Sequence, residues 1–389
     1  MFWYYFFPPL MELAAAMIIY GGYLRRCSPR YRHITCAVLG VIYLWAAGNF
    51  LLRDYLGNKL LLWGSGVCVA LLLMWAVGAL LYQGGRQLTK WKRFTRTKLY
   101  QKVAAYPAII TVIKRSYFFF FALIYPLVAL WFGHQLPQVV AIDLPLSPKA
   151  AATITSTSSA TLKVVFLSDL HLGTLQGSAA YLAKVVAIVQ HLHPDLVLIG
   201  GDLVDHQQTS FLPLIRDLKK LNPPWGMYFA IGNHECLAPD PHILAELKTI
   251  GVTPLVNQSV TLHGKLNVAG VGDEDCGHWG AAYLPRMPVL QNPQLPTILL
   301  AHRPNLMRDP FLADVDLALL GHTHGGQIEP FALLPRLTNL YFKGLYPKMR
   351  PSAAKRLVSY YYVNQGTGTS GPPMRFLTFS EITVFNLHF

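Results

Sequence analysis

Five apolar runs in the second half of the chain end in residues that can bind a metal ion. Each run has the length and composition of a buried strand, and a glycine often stands beside its polar end. The polar ends are, in chain order, Ser168-Asp169-Leu170-His171, Gly200-Gly201-Asp202-Leu203-Val204-Asp205, Gly232-Asn233-His234-Glu235, Ala301-His302-Arg303 and Gly321-His322-Thr323-His324. Sites in open α/β sheets form at the carboxyl ends of strands. Each motif alone would also fit a polar turn, but together they predict one site.

The candidate ligands combine oxygen and nitrogen donors and include no thiolate. Side chains at i and i+2 point to the same side of an extended backbone, so Asp169 and His171 can converge on one ion. Carboxylates with imidazoles suit manganese, zinc or iron. Seven candidate ligands exceed what one ion requires, whereas two ions sharing a carboxylate would use them all. Paired divalent ions serve the hydrolysis of phosphate esters.

Strand-like and helical runs alternate around these polar ends. Residues 179–192, 211–221 and 241–250 have helical periodicity. The strand-like runs are 162–167, 196–199, 227–231, 266–271, 297–300, 317–320, 358–363 and 382–385. The pattern predicts an α/β arrangement that becomes richer in strands towards the end of the chain.

With these motifs in place, residues 161–389 resemble the calcineurin-like metallophosphoesterase family. The family pattern of Asp-x-His, Gly-Asp-x-x-Asp, Gly-Asn-His-(Asp/Glu), a lone His and Gly-His-x-His is complete and in order. The resemblance implies an α+β fold, a four-layer α-β-β-α sandwich with a dinuclear metal centre between its two sheets. It also implies a metal-dependent phosphoric ester hydrolase that uses two divalent ions.

The resemblance further implies a role for each matching residue. The implied ligands are Asp169, His171 and His324 for one metal, Asn233, His302 and His322 for the other, and Asp202 as the bridge. His234 would protonate the leaving group or stabilise the transition state, and Glu235 would orient His234. Asp205 would support the ligands instead of binding a metal itself.

The tail of the chain narrows the resemblance. Residues 363–371, Met374-Arg375-Phe376 and Glu381-Ile382 are similar to the tail of a membrane-associated bacterial subgroup. That subgroup includes phosphoesterases with N-terminal transmembrane segments and a UDP-diacylglucosamine pyrophosphatase of lipid A synthesis. Arg375 is a candidate phosphate contact, with a surface ion pair as the alternative.

The first half of the chain has the composition of a membrane region. Residues 1–135 hold 15 Lys and Arg against 2 Asp and Glu, whereas residues 136–389 hold 18 against 17. Four apolar stretches, at 1–24, 34–52, 60–81 and 117–132, predict an all-α region of about four transmembrane helices. The fourth could instead be an interfacial helix. Because the basic residues cluster between apolar segments, they indicate membrane topology, and we expect no nucleic-acid partner.

The distribution of charge between the segments predicts the orientation. Residues 25–32 and 86–102 carry most of the basic side chains, and the positive-inside rule places both loops in the cytoplasm. Residues 86–102 could also contact anionic lipid. With four spans, everything after residue 132 lies outside. We therefore expect an integral protein of the bacterial inner (cell) membrane with an extracytoplasmic catalytic domain.

Composition also predicts the domain boundaries. We expect a transmembrane anchor at 1–135, a linker at 136–160 that includes a short strand at 139–144, and the catalytic domain at 161–389. Cys236 and Cys276 could pair in an oxidising compartment, but we expect two reduced thiols.

An apolar and aromatic loop, 330–350, follows the last candidate ligands. It is interleaved with basic residues, and we consider two alternatives for it, a lipid-accepting loop at the membrane interface or a loop packed on its own domain. The sequence predicts a membrane-anchored phosphoesterase acting on a phosphorylated, lipid-linked or membrane-proximal substrate. The alternatives are a UDP-2,3-diacylglucosamine-type pyrophosphatase and a non-catalytic membrane sensor.

Overall fold

The computed structural model describes residues 124–146 and 161–389, with gaps at 175, 206–209, 239, 309–314, 330–331 and 351–356. In the first half it also describes the isolated residues Cys36, Gly40, Gln87, Thr97 and Gln101. The predicted transmembrane segments therefore lie almost wholly outside the described residues. The end of the fourth segment falls in helix α1 (Tyr125–Gly133). None of the helices described combines the length and apolarity needed to cross a bilayer.

The described residues of the second half contain two six-stranded mixed sheets. The first sheet has the order β1 (Gln138–Pro145), β12 (Glu381–His388), β2 (Thr161–Leu167), β3 (Leu196–Ile199), β4 (Met227–Phe229) and β5 (Val252–Pro254). The second has the order β10 (Gly344–Arg350), β11 (Leu357–Val363), β9 (Leu317–Leu320), β8 (Thr297–Leu300), β7 (Leu266–Gly270) and β6 (Gln258–Leu262).

Helices cover the outer face of the first sheet. Helix α2 (Ala179–His191) begins where the Ser178 hydroxyl accepts a hydrogen bond from the Tyr181 N–H, 3.1 Å away. Its buried face presents Leu182, Val185, Val186 and Val189 to the sheet. Helix α3 (Leu212–Ile215), which continues as a 3-10 turn over Arg216–Lys220, and helix α4 (His242–Thr249) pack in the same layer.

Side chains along each strand alternate between the two faces of the sheet, and each face packs against a different layer. In β2, Val165 and Leu167 face the helices, whereas Val164 and Phe166 face the second sheet. Because both faces are buried over residues 164–167, this part of the strand is a continuous apolar run with no polar alternation. The sandwich of two mixed sheets predicted from the resemblance is therefore present.

The outermost layer differs from the expected four-layer arrangement. A third apolar cluster, including Leu299 and Leu320, covers the outer face of the second sheet. In the described part of the chain, the 3-10 turn Pro304–Arg308 and loop side chains cover this face, and no long α-helix does.

Parallel pairing aligns the strand ends that carry the candidate ligands. Strands β2, β3 and β4 run parallel in the first sheet, as do β7, β8 and β9 in the second. Their carboxyl ends therefore lie on one edge of each sheet, as the five polar ends predicted.

The structure also departs from the sequence predictions in its strands. The short strand predicted at 139–144 is present as β1, but it pairs in parallel with β12, so this sheet begins at residue 138, inside the predicted linker. The predictions missed β5, β6 and β10. Strands β6 and β10 are half-exposed or edge strands without a long apolar run, and β10 contains Pro347, which suits an edge strand.

A disulfide joins Cys236 to Cys276, so the expectation of two reduced thiols is wrong. The two Cα atoms lie 4.9 Å apart although 40 residues separate them in sequence. The packing of the 3-10 turn Glu235–Leu237 against the turn Glu274–Trp279 brings them together. The indole N–H of Trp279 donates to the Ala238 carbonyl, 3.0 Å away, and adds a second link between the turns.

Replacing both Cys236 and Cys276 by Ala is expected to lower the free energy of unfolding by about 2–4 kcal/mol, because the cross-link restricts the unfolded chain. Denaturant unfolding of the full chain in detergent measures the loss. Cys36→Ala, which removes a free thiol, is the matched control. Equal stability of the double variant and the wild type would contradict this expectation.

Candidate metal centre

The side chains that follow the parallel strands meet at the strand ends of the two sheets. Three overlapping groups of possible ligand atoms lie within 4.8 Å of one another. The groups are Asp169, His171 and His324; His171, Asp202 and His234; and Asp202, His302 and His322. Six of the seven predicted ligands therefore belong to one continuous cluster.

The possible ligand atoms of the first group lie close together. The Nε2 atoms of His171 and His324 lie 3.0 Å apart, and His324 Nε2 lies 3.3 Å from Asp169 Oδ1. His171 Nε2 lies 3.7 Å from Asp202 Oδ2. These imidazole and carboxylate atoms face a common point, which is what a cation between them would require.

The third group, Asp202, His302 and His322, shares Asp202 with the second, and the second shares His171 with the first. His302 Nε2 lies 3.0 Å from Asp202 Oδ2 but is not aligned for a hydrogen bond, so it has no such partner. The rings of His302 and His322 meet edge to face at 5.2 Å. The seventh predicted ligand, Asn233, is half-buried, and its buried Oδ1 has no hydrogen-bond partner.

Five of the seven predicted ligands occupy the left-handed region of backbone space. Their φ angles lie between 48° and 70°, and the residues are Asp169, His171, Asp202, His322 and His324. Residues other than glycine rarely adopt such angles, which cost about 1–3 kcal/mol each and cluster at functional sites. The fold thus holds these side chains in sharp turns that a relaxed loop would not maintain.

Neighbouring groups fix the orientation of the ligands. The Ser168 hydroxyl donates to Asp169 Oδ2 at 2.6 Å, and the His322 N–H donates to the same carboxylate at 3.0 Å. His302 Nδ1 lies 2.8 Å from the Gly200 carbonyl, which can only accept, so Nδ1 carries a proton and Nε2 is the atom that would bind a metal. Burial acts to lower the pKa of His302, but the charges of Asp202 and Asp169 raise it to about 10, so a metal bound there would displace the Nε2 proton. A Cβ at Gly366 (φ 84°) would lie 2.8 Å from His324 Nδ1, so this loop requires glycine. Sequence reasoning gave no role to Ser168 or Gly366.

These residues fit two divalent ions. Four buried polar atoms at the site lack hydrogen-bond partners, namely His171 Nδ1, Asn233 Oδ1, His302 Nε2 and His324 Nδ1. Burial lowers the pKa of His322 to about 3, and the charge of His302 acts in the same direction. Burial also lowers the pKa of His324 to about 4, against the charge of Asp169. Both imidazoles are therefore neutral at pH 7, which is the form that binds metal.

His234 lies at the edge of the cluster with a carboxylate behind it. Its Nδ1 lies 2.7 Å from Asp205 Oδ1, and its ring meets that of His171 edge to face at 4.5 Å. Burial acts to lower the pKa of His234, but the charges of Asp205 and Asp202 outweigh it and raise the pKa to about 10. Asp205 therefore orients His234 and favours its protonated form.

Glu235 makes contacts different from those the resemblance implied. Its buried carboxylate accepts hydrogen bonds from four backbone N–H groups, those of Gly232, Asp202, Leu203 and Val204, at 2.7–3.1 Å. It therefore ties the turn after β4 to the turn after β3. The residue that orients His234 through its ring is Asp205.

Arg375 lies beneath the site and not in it. Its side chain is fully buried, whereas a contact with a substrate phosphate would require an accessible guanidinium. The guanidinium donates to five backbone carbonyls, those of His324, Gln365, Gly366, Gly368 and Phe379. It thereby joins the turn that carries His324 to the glycine-rich loop after β11.

The chain is similar to known phosphoesterases over this region. The family model for calcineurin-like phosphoesterases matches residues 162–326. A metallophosphoesterase of Helicobacter pylori is 38% identical over 229 residues, which cover 58% of this chain and 60% of that protein. A metallophosphoesterase of Aquifex aeolicus is 31% identical over 231 residues, 58% of this chain and 85% of that protein.

A protein of Bos taurus named as a transmembrane protein with a metallophosphoesterase domain is 32% identical over 265 residues. The match covers 64% of this chain and 56% of the Bos taurus protein. The chain thus spans less than two thirds of the length of the Helicobacter pylori and Bos taurus relatives.

Asp205→Asn is expected to lower phosphoesterase activity by about 10- to 100-fold, because the His234 ring loses the carboxylate that orients it. The same substitution in a His234→Ala background should cost little more, since the two residues act as a pair. Asp240→Asn is the matched control, because Asp240 and His242 form an exposed pair with the same 2.7 Å separation. Additive losses in the double variant would contradict the pairing.

Arg375→Met is expected to lower the free energy of unfolding by about 3–5 kcal/mol, because buried carbonyls lose a charged donor. Arg375→Lys should retain part of this stability. Denaturant unfolding measures both, and Arg216→Met, at an exposed arginine, is the control. If Arg375 contacted phosphate instead, stability would be unchanged and KM would rise.

Proposed function

Because this chain belongs to the calcineurin-like metallophosphoesterase family, we propose that it is a membrane-anchored phosphoesterase that depends on two divalent metal ions. The Aquifex aeolicus relative, matched over 85% of its length at 31% identity, carries the family assignment. The observation that carries the activity is the convergence of the donor cluster with the His234–Asp205 pair. The Asp202 carboxylate belongs both to the group with His171 and to the group with His302 and His322, and this sharing supports two ions at the site.

The bound ions, of the manganese, zinc or iron type, would supply water activation and charge neutralisation at the phosphoryl group. The protein contributes the rest. The ligands at the strand ends set the position of the reacting phosphorus, since their backbone angles and hydrogen bonds leave little freedom. Protonated His234, held by Asp205, donates a proton to the departing oxygen or stabilises the charge that develops there.

The anchoring to a membrane is supported by sequence and by similarity. Residues 1–135 supply the four apolar stretches and the basic loops between them. The Bos taurus relative is itself named a transmembrane protein. We place this chain with the membrane-associated bacterial members of the family, in the bacterial cell membrane.

The Cys236–Cys276 disulfide supports an extracytoplasmic catalytic domain. Disulfides persist in oxidising compartments and are rare in the cytosol. The same side of the membrane follows from four spans and the positive-inside rule. Substrates reached from that side, close to the bilayer, are lipid-linked or membrane-proximal phosphoesters.

The disulfide also bears on the alternative substrate, a UDP-2,3-diacylglucosamine pyrophosphate. That substrate is made on the cytoplasmic face, so the oxidised cysteine pair disfavours it. The intact cluster of donors around His234 disfavours the other alternative, a non-catalytic membrane sensor. Screening the purified chain with manganese, zinc and magnesium against phospholipids, UDP-glycolipids and small phosphodiesters separates the three functions.

His234→Ala is expected to lower metal-dependent hydrolysis of a small phosphodiester by about 100- to 10,000-fold, the usual contribution of a general acid. Asp202→Asn should remove activity together with bound metal, because its carboxylate lies in two of the three overlapping groups of possible ligands. Turnover, metal content and the unfolding midpoint are measured for each. His191→Ala, at an exposed histidine, is the control. Normal turnover in both site variants would refute the proposed function.

A further inference from the structure

The positive charge of the catalytic half is concentrated in one segment. Residues 330–356 contain six Lys and Arg and no Asp or Glu. Residues 136–389 contain 18 basic and 17 acidic residues, so the rest of this half has 12 basic and 17 acidic residues. A basic segment on an otherwise acidic domain is an electrostatic signal for an anionic partner.

The described part of this segment also exposes apolar side chains. Helix α5 (Leu333–Thr338) presents Leu333 and Leu337 to solvent, 58% and 75% exposed. Leu340 and Leu345 are exposed as well, at 44% and 37%. Leucines interleaved with Arg336, Lys343 and Lys348 form a surface suited to a layer with charged headgroups over an apolar interior.

The segment is attached directly to the metal centre. The Ala332 N–H donates to the Ile328 carbonyl at 3.3 Å, and Ile328 follows the turn of His324 by four residues. The guanidinium of Arg336 stacks on the Phe342 ring at 5.1 Å and pairs with Glu329. A partner bound to this surface would therefore lie close to the mouth of the site.

A neighbouring segment, residues 376–379, adds exposed apolar side chains to this surface. Residues 376–378 hydrogen-bond to residues 327–329, with the Phe376 N–H donating to the Gln327 carbonyl at 3.0 Å. Leu377 has a left-handed backbone (φ 59°), rare for a bulky residue, and is 67% exposed. The exposed Phe379 ring meets Phe132, the last residue of the fourth apolar stretch, at 6.0 Å.

We infer that residues 333–348, together with Leu377 and Phe379, form a surface that binds an anionic bilayer. This rests on the proposed membrane anchoring and extends it from the tether to the catalytic domain. The leucines enter the headgroup region. Lys343 and Lys348 supply positive charge at the lipid phosphates, with the Lys348 ammonium stacked on the Tyr361 ring at 5.3 Å. The mouth of the metal centre is then held against the bilayer, where phosphorylated lipids lie.

Hydrogen exchange of the full chain in lipid nanodiscs tests this surface. The discs contain phosphatidylcholine alone or with about 30% phosphatidylglycerol, an anionic lipid. Amides of 333–348 are expected to exchange about threefold or more slowly in the anionic discs. Two double variants should abolish this difference in exchange rate between the two kinds of disc. One combines Lys343→Glu with Lys348→Glu, and the other combines Leu333→Ser with Leu337→Ser. Val289→Ser and Lys265→Glu, at exposed positions elsewhere, should retain it.

Equal exchange in the two lipids, or loss of the difference in the control variants, would overturn the inference. Slower exchange of the 333–348 amides when RNA or a polyacidic peptide is added to zwitterionic discs would also overturn it. The partner of this surface would then be a macromolecular polyanion. Hydrolysis of a small phosphodiester by the same samples in detergent is measured in parallel. If the wild type shows no metal-dependent hydrolysis, the proposed function is refuted. The exchange measurements would still test lipid binding independently.

Discussion

The carboxylate of Asp202 is the contact on which the rest of the site depends. Its Oδ1 accepts the His234 N–H at 2.8 Å, and its Oδ2 lies 3.0 Å from His302 Nε2. It therefore touches the turn after β4 in its own sheet and the turn after β8 in the other. Burial acts to raise the pKa of Asp202, but the charges of His302 and His234 hold it well below its usual range. An ionised group at this point is stable only while cations surround it.

Two buried ionisable residues hold the turns around the site in place without taking part in the ligand cluster. Glu235 accepts from the N–H groups of two turns in the first sheet, and Arg375 donates to carbonyls around His324 and the loop after β11. Each satisfies backbone groups that tight turns leave without helical or strand partners. The left-handed ligand positions persist because such contacts over-determine them.

Two features near the metal centre agree with a reaction on the extracytoplasmic side of a membrane. The Cys236–Cys276 disulfide starts two residues after His234, and the exposed leucines and the lysines of 333–348 follow His324 in the chain. The disulfide favours an oxidising compartment, and the leucines and lysines favour contact with an anionic bilayer. Both are compatible with an extracytoplasmic domain tethered by residues 1–135.

Sequence alone determined which residues meet at the site and which strands deliver them, because apolar runs ending in metal-ligand types are local signals. It also determined the separation into an apolar basic half and a balanced α/β half. Only the tertiary structure decided the contacts that depend on distant segments. These are the Cys236–Cys276 bond, the role of Asp205 behind His234, the burial of Arg375 and the place of β1 in the sheet. Residues up to 243 positions apart are paired in the first sheet, and no local pattern reports which of them will be neighbours.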